Sequence, residues 1–179
     1  MIFHPLPLAG AFLIEPEPIR DQRGFFARTV CRKEFAEHGL NAEFVQQSLS
    51  WNEQQGTLRG MHYQVQERKE AKLVRVAAGS IYDVLLDLRD QESTYLQWYS
   101  VELSAINRMH IYIPPGVAHG FLTLSDHCEV IYQMTAFYDP TAARGVRWDD
   151  PVFGIEWPQA VDLLMSAQDK SWPLWVRES

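Results

Sequence analysis

Cysteine is scarce. Cys31 and Cys128 are the only two in 179 residues, too far apart to suggest a disulfide framework and with no CxxC pair from which to build a zinc site. A reducing cytoplasm is the compartment that fits. Positive charge is also short, with 16 basic against 23 acidic residues and a net charge of −7. That balance argues against nucleic acid or an anionic membrane as the main partner. It leaves room for a small anion, because a few arginines focused in a pocket outweigh the net charge. No stretch reaches the roughly 18 apolar residues that a membrane helix needs. No internal repeat, low-complexity tract or linker divides the chain. The opening MIFHPLPLAGAFLIEPEP is apolar but lacks a basic leader and carries prolines at 5 and 7, so an edge strand of the mature protein is expected there. Helix is scarce as well, the one clear candidate being CRKEFAEHG, about 31–39, with Gly39 as its C-terminal cap.

What is present is a soluble, globular composition, 46% hydrophobic and 22% charged, of a length suited to a single domain spanning 1–179. Short apolar runs rich in Val, Ile, Leu and aromatics recur along it. KLVRVAAGSIYDVLLDLR (72–89) gives two of them, and its Ala77–Ala78–Gly79–Ser80 junction predicts a hairpin. LQWYSVEL (96–103), MHIYIPP (109–115), GFLTL (120–124) and EVIYQMTAFY (129–138) continue at the spacing of a sandwich or barrel. GVRWDDPVFGIEWP (145–158) is Trp-rich and punctuated by turns. The expected fold is mainly β, a jelly-roll, cupin-like β-barrel with a few short helices, and such barrels hold one small ligand.

Two histidines stand in suggestive settings. In TLRGMHYQ (57–64), Gly60 permits a bulge, Leu58, Met61 and Tyr63 suit a half-buried strand, and His62 lies among them. A lone histidine in such a strand is ordinarily a hydrogen-bonded core residue. In PPGVAHGF (114–121), two prolines and a glycine make a rigid turn that delivers His119 at the start of a strand. The pair resembles the two motifs of cupin jelly rolls and raises a metal-dependent cupin, such as a dioxygenase, as a reading. Metal sites of that kind require His-x-His and a nearby glutamate. Here Gln64 replaces the second histidine and Lys72, a cation, follows. His62 and His119 alone supply too few ligands, so no metal and no cofactor is expected.

Taken in order, RGFF (23–26), TLRGMHYQ, KLVRVAAGSIYDVLLDLR, PPGVAHGF, RWDDPVFGIEWP (147–158) and SAQDKSWP (166–173) resemble the dTDP-4-dehydrorhamnose 3,5-epimerase family. The likeness runs from about residue 12 to 175. It implies a metal-free homodimer acting on nucleotide-linked 4-keto-6-deoxy sugars in deoxysugar and polysaccharide synthesis. The chemistry is intelligible: a 4-keto group acidifies the C–H bonds at C3 and C5, so inversion needs a base on one face, an acid on the other and a cation for the enolate. By resemblance, His62 is the base, Asp169 its carboxylate partner, Lys72 the enolate-stabilising cation and Tyr132 the acid. Tyr138, six residues on and on the same strand face by parity, is the rival acid or a substrate contact. The resemblance makes His119, Gln46 and Gln47 substrate contacts and gives Arg23 and Arg59 the nucleotide diphosphate, to which guanidinium forks are suited. Strict strand alternation sets Arg59 and His62 on opposite faces, so either Gly60 breaks the alternation or Arg59 serves another end of the site. Asp83 stands unassigned between a supporting carboxylate and an edge residue. Taken singly, a core His62, a tail-capping Asp169, a snorkelling Lys72 and a packed Tyr132 are the bland alternatives.

The chain departs from the family pattern at Arg28, Ser48, Ala143 and Gln168, all at the substrate periphery. Reaction type is therefore better specified than nucleotide or sugar. A single-position epimerase or keto-isomerase, and a non-catalytic sugar-nucleotide-binding jelly roll, stay open beside the double epimerase. The missing His-x-His set carries a prediction of its own: epimerisation of a 4-keto sugar nucleotide survives exhaustive chelation, with no stoichiometric metal by elemental analysis. An enzyme silenced by chelator and revived by iron or manganese would overturn it.

Overall fold

A computed structural model of the chain describes residues 1–65, 69–159 and 163–176. Two antiparallel sheets face one another. The six-stranded sheet runs β1 (Ile2–Pro5), β2 (Phe12–Glu15), β10 (His110–Ile113), β7 (Lys72–Ala78), β12 (Cys128–Met134) and β5 (Gln46–Asn52). The five-stranded sheet runs β13 (Ala143–Gly145), β6 (Leu58–Gln64), β11 (Val117–Thr123), β8 (Ser80–Asp87) and β9 (Trp98–Ser104). A separate hairpin, β3 (Ile19–Asp21) with β4 (Gly24–Phe26), stands out from the body. The fold is the expected jelly roll, though its sheets pair as two layers and do not close into a continuous barrel.

The expected helix forms as α1 (Arg32–Glu37), ended by Gly39 at φ +71°. The proline-bearing start is an edge strand, as read: β1 pairs only with β2. The predicted hairpin at 72–89 does not form. β7 pairs with β10 and β12, whereas β8 pairs with β11 and β9, so the chain crosses between sheets at Gly79. Burial explains this outcome. Val74 and Val76 on β7 and Ile81 and Leu85 on β8 meet in one core between the layers, joined by Ile111, Phe121 and Val130. Each fully buried side chain of this size contributes roughly 1.5–3 kcal/mol, more than the edge pairing of two neighbouring runs would return. Phe35 of α1 closes a second core with Ile14, Leu73 and Tyr112 on the outer face of the six-stranded sheet. Met61, Val84, Leu86 and Phe153, with Trp157 and Trp175 against them, form a third on the outer face of the five-stranded sheet. The Trp-rich tail thus covers a sheet.

The last predicted strand is shorter than its apolar pattern. β12 stops at Met134, and Tyr138 lies beyond it, 62% exposed, which removes the parity argument that set Tyr138 beside Tyr132. Its amide donates to Gln46 Oε1 at 3.1 Å, and the next residue's amide donates to the buried Gln64 at 2.9 Å. Gln64, standing where a metal-binding cupin has a histidine, thus tethers this loop.

The question of Arg59 and His62 is settled at Gly60. Along β6 against β11, Arg59 is opposite Phe121 and His62 opposite His119, so two residues, Gly60 and Met61, stand against the single Gly120. This bulge turns Met61 outward into the third core and brings Arg59 and His62 to the same inner side. Gly60 adopts φ +132°, and a Cβ there would overlap the Gly120 Cα of β11. Gly60→Ala is therefore expected to lose roughly 3 kcal/mol or more, since the conformation and the backbone contact are both refused. Urea titration measures this; a loss under roughly 1 kcal/mol would show that the bulge does not depend on glycine.

Candidate active site

A cavity of about 630 Å³ opens at one end of the space between the sheets. β6 and β11 deliver Arg59, His62, His119 and Phe121 from the five-stranded sheet. β7, β12 and β5 deliver Lys72, Tyr132 and Ser50 from the six-stranded sheet. The segment from Leu164 to Asp169 forms one wall. It is pinned to β6, where Leu58 N–H donates to Leu164 O and Leu164 N–H to Gly56 O, both at 2.9 Å. Ser166 then caps α2 (Ala167–Ser171), its hydroxyl accepting from the Asp169 amide at 3.0 Å. The SAQD spacing is a capping signal that sequence reading can use to place this short helix.

His62 Nε2 and Asp169 Oδ1 are 2.6 Å apart, the histidine 43% exposed to the cavity and the aspartate 7%. With Asp169 accepting the Nε2 proton, Nδ1 presents the free lone pair. Burial pushes the Asp169 carboxyl up, but the hydrogen bond from His62, with Ser166 and Trp172 behind it, prevails and holds it below its ordinary value. It is ionised and oriented. Lys72 Nζ lies 3.4 Å from the His62 carbonyl and 3.4 Å from Glu70 Oε1, a largely buried cation at the cavity floor. Tyr132 faces His62 from the opposite sheet, on the strand beside that of Lys72. Burial, with the Asp83 charge, pushes its hydroxyl well above the ordinary tyrosine value, against the opposing pull of Arg59. It stays protonated.

His119 packs edge to face with Tyr132 at 6.0 Å, and its Nε2 meets Asp83 Oδ2 at 2.7 Å. Asp83, unassigned from sequence, is thus a second buried carboxylate on a histidine, and its Oδ1 has no protein partner. Arg59 Nε donates to Asn52 Oδ1 at 2.7 Å, which holds the guanidinium at the cavity wall. Among the described residues, no group of three or more His, Cys, Asp or Glu is placed to hold a metal ion, and no helix is long and apolar enough to cross a membrane.

Four expected substrate contacts are not brought to this cavity. Gln46 is half-buried and engaged with the Tyr138 amide, and Gln47, one residue on, faces away with its exposed strand face. Tyr138 is on the loop after β12. Arg23 is at the tip of the β3–β4 hairpin, 90% exposed and paired with Asp21 at 2.5 Å. Conversely, Ser50, Thr57, Phe121, Leu164 and Met165 line the cavity without having been singled out, and Gln168, read as a departure at the substrate periphery, lines it as well. The parity of β11 would have paired Phe121 with His119; the tail residues have no local signal, because only the fold of the tail onto β6 brings them there.

A family model described as dTDP-4-dehydrorhamnose 3,5-epimerase matches residues 5–176. A protein of that name from Methanothermobacter thermautotrophicus is 47% identical over 167 residues, covering 92% of this chain and 89% of the relative. The crystal structure of the dTDP-4-dehydrorhamnose 3,5-epimerase from Elizabethkingia anophelis superposes with a TM-score of 0.94 at 36% identity, covering 98% of this chain and 96% of that one. A dTDP-6-deoxy-D-glucose-3,5-epimerase from Legionella pneumophila, solved in complex with dTDP-4-keto-L-rhamnose, has a TM-score of 0.91 at 35% identity, covering 97% of this chain and 92% of that one. The match spans almost the whole chain in sequence and in structure, and the chain belongs to the dTDP-4-dehydrorhamnose 3,5-epimerase family.

Proposed function

We propose that the protein is a cofactor-free isomerase that inverts C3 and C5 of a dTDP-linked 4-keto-6-deoxy sugar, supplying deoxysugar for polysaccharide synthesis. One observation carries this reading: a histidine oriented by a buried carboxylate and a protonated tyrosine face one cavity from opposite sheets. A sugar ring held between the layers has His62 on one face and Tyr132 on the other. His62 removes the proton from carbon beside the ketone, and Asp169 keeps the ring in the required tautomer and steadies the imidazolium. Negative charge develops on the 4-keto oxygen, where the low-dielectric setting makes the Lys72 ammonium effective. Tyr132 then protonates the opposite face, and the configuration is inverted. His119, held by Asp83 beside Tyr132, supports the substrate on that side. Arg59 is the cavity's guanidinium for the diphosphate.

Arg23 bears on the assembly. Its exposed hairpin carries Ile19, Phe25 and Phe26, and the outer face of β5 exposes Leu49 and Trp51, with Val45 exposed just before the strand. Apolar surface of this kind supports a homodimer in which the hairpin of one copy reaches toward the cavity of the other. Cys31 and Cys128, both unpaired, fit a cytoplasmic setting.

Incubation with dTDP-4-keto-6-deoxyglucose in D₂O, read by NMR, tests the reaction. Deuterium is expected at both C3 and C5; label at one position would restrict the enzyme to that carbon, and label at neither would make the protein a binding module. His62→Ala should abolish exchange, and Asp169→Asn should slow it on the order of 10³- to 10⁴-fold. Tyr132→Phe should still wash deuterium in while inverting little, because His62 returns a solvent-exchanged proton to its own face. Full inversion by Tyr132→Phe, with Tyr138→Phe defective, would move the acid to Tyr138. For the assembly, sedimentation should give a dimer, and Phe26→Asp should yield monomers with weakened dTDP binding. A fully active wild-type monomer would refute the shared site.

A further inference from the structure

We propose that Gly145 and Trp172 form a latch that sets Asp169 against His62, and that both are positioning residues of the catalytic pair. The inference rests on the reading of His62 and Asp169 given above and asks what holds them together. α2 has five residues, too few to persist unaided. Its N-terminal side is fixed by the Ser166 cap and by Leu164 bridging to Thr57. Beyond its C-terminal end, the Trp175 amide donates to Asp150 Oδ2 at 2.5 Å, and its indole packs beside Phe153 at 6.0 Å between centroids. Between these anchors lies Trp172, the residue that ends the helix.

The partner of Trp172 is Gly145. β13 pairs with β6 in a register that sets Gly145 directly opposite His62. A Cβ on Gly145 would overlap Cε2, Nε1 and Cδ2 of the Trp172 indole. All three atoms belong to a rigid fused ring, so no flexible end can swing aside and the ring must move as a body. Gly145 is in an extended strand and not in the left-handed region, so the requirement is for space alone. The same indole stands edge-on to His62, 6.5 Å between centroids. Its buried N–H lies on the Asp169 side and is the least of the influences that hold that carboxyl below its ordinary value, without a hydrogen bond of good geometry. One glycine thus admits the ring that fixes both members of the pair from behind.

The test is a double-mutant cycle on the full-length protein with two readouts. Gly145→Ala should lower kcat roughly 10- to 100-fold with dTDP affinity within about threefold, since a misplacement near 1 Å costs about that much. Trp172→Ala should do the same, and adding Gly145→Ala to it should cost little more, because the clash is gone. In parallel, the far-downfield ring N–H proton of the His62–Asp169 hydrogen bond should be visible in the wild type, absent from an Asp169→Asn control, and lost or shifted in Gly145→Ala. Should Gly145→Ala fail to fold, Trp172→Phe, which shortens the ring, must show the same loss of rate and resonance. Full rate with an unchanged resonance, strictly additive losses, or a lowered Tm with the resonance intact would each overturn the latch. The resonance requires no substrate, so a wild type inactive on 4-keto sugars would refute the proposed reaction while leaving the latch to be judged by NMR.

Discussion

The contact between Gly60 and Gly120, where two neighbouring strands approach with no side chain between them, is the constraint on which the site depends. An antiparallel ladder with ordinary alternation would turn either Arg59 or His62 away from the interior. The bulge admits one extra residue on β6 and so presents a guanidinium and an imidazole to the same cavity, with His119 beside them on β11. The displaced Met61 is not wasted, for it packs in the outer core with Val84 and Leu86. Local irregularity and global packing therefore agree, which is how a strained backbone persists in a stable sandwich.

The layered architecture supplies what proton transfer across a ring requires. A base and an acid on one sheet would reach a substrate from the same side. Because β6 and β12 belong to facing layers, His62 and Tyr132, the base and the acid of the proposed reaction, line the cavity from opposite sides. The apolar core between the layers, from Val74 and Ile111 to Val130, fixes their separation. The same burial keeps Tyr132 protonated and confines Lys72, so packing and electrostatics have one origin.

Polar groups in this interior come at a cost, and the way each is compensated indicates its use. Asp87, fully buried, is met by Arg89, Thr94 and its own turn, a closed network whose role is to anchor the end of β8. Asp83 is also fully buried but satisfied at one oxygen only, by His119. Asp83 thus differs from Asp87 in leaving one carboxylate oxygen without a protein partner.

The sequence alone determined the β architecture, a helix read at about 31–39 and found at Arg32–Glu37, and the edge strand at the start, because alternation and turn residues are local properties; the reaction class came from the resemblance of the ordered motifs to the epimerase family. His62, Lys72, Tyr132, Asp169, Arg59 and His119 were legible as a set by resemblance, and the structure brings all six to one cavity. Tertiary structure decided the rest. That β7 and β8 part company at Gly79 depends on which faces share a core, which no run of apolar residues reveals. Tyr138, Arg23 and Gln47 fall outside the cavity because strand ends and an outlying hairpin are set by contacts distant in the chain. Asp83 found its histidine 36 positions away, and Asp169 found His62 across 107, through a tail held by an indole on a glycine. Those pairings follow from shape complementarity between finished elements, a property that exists only once the chain has folded.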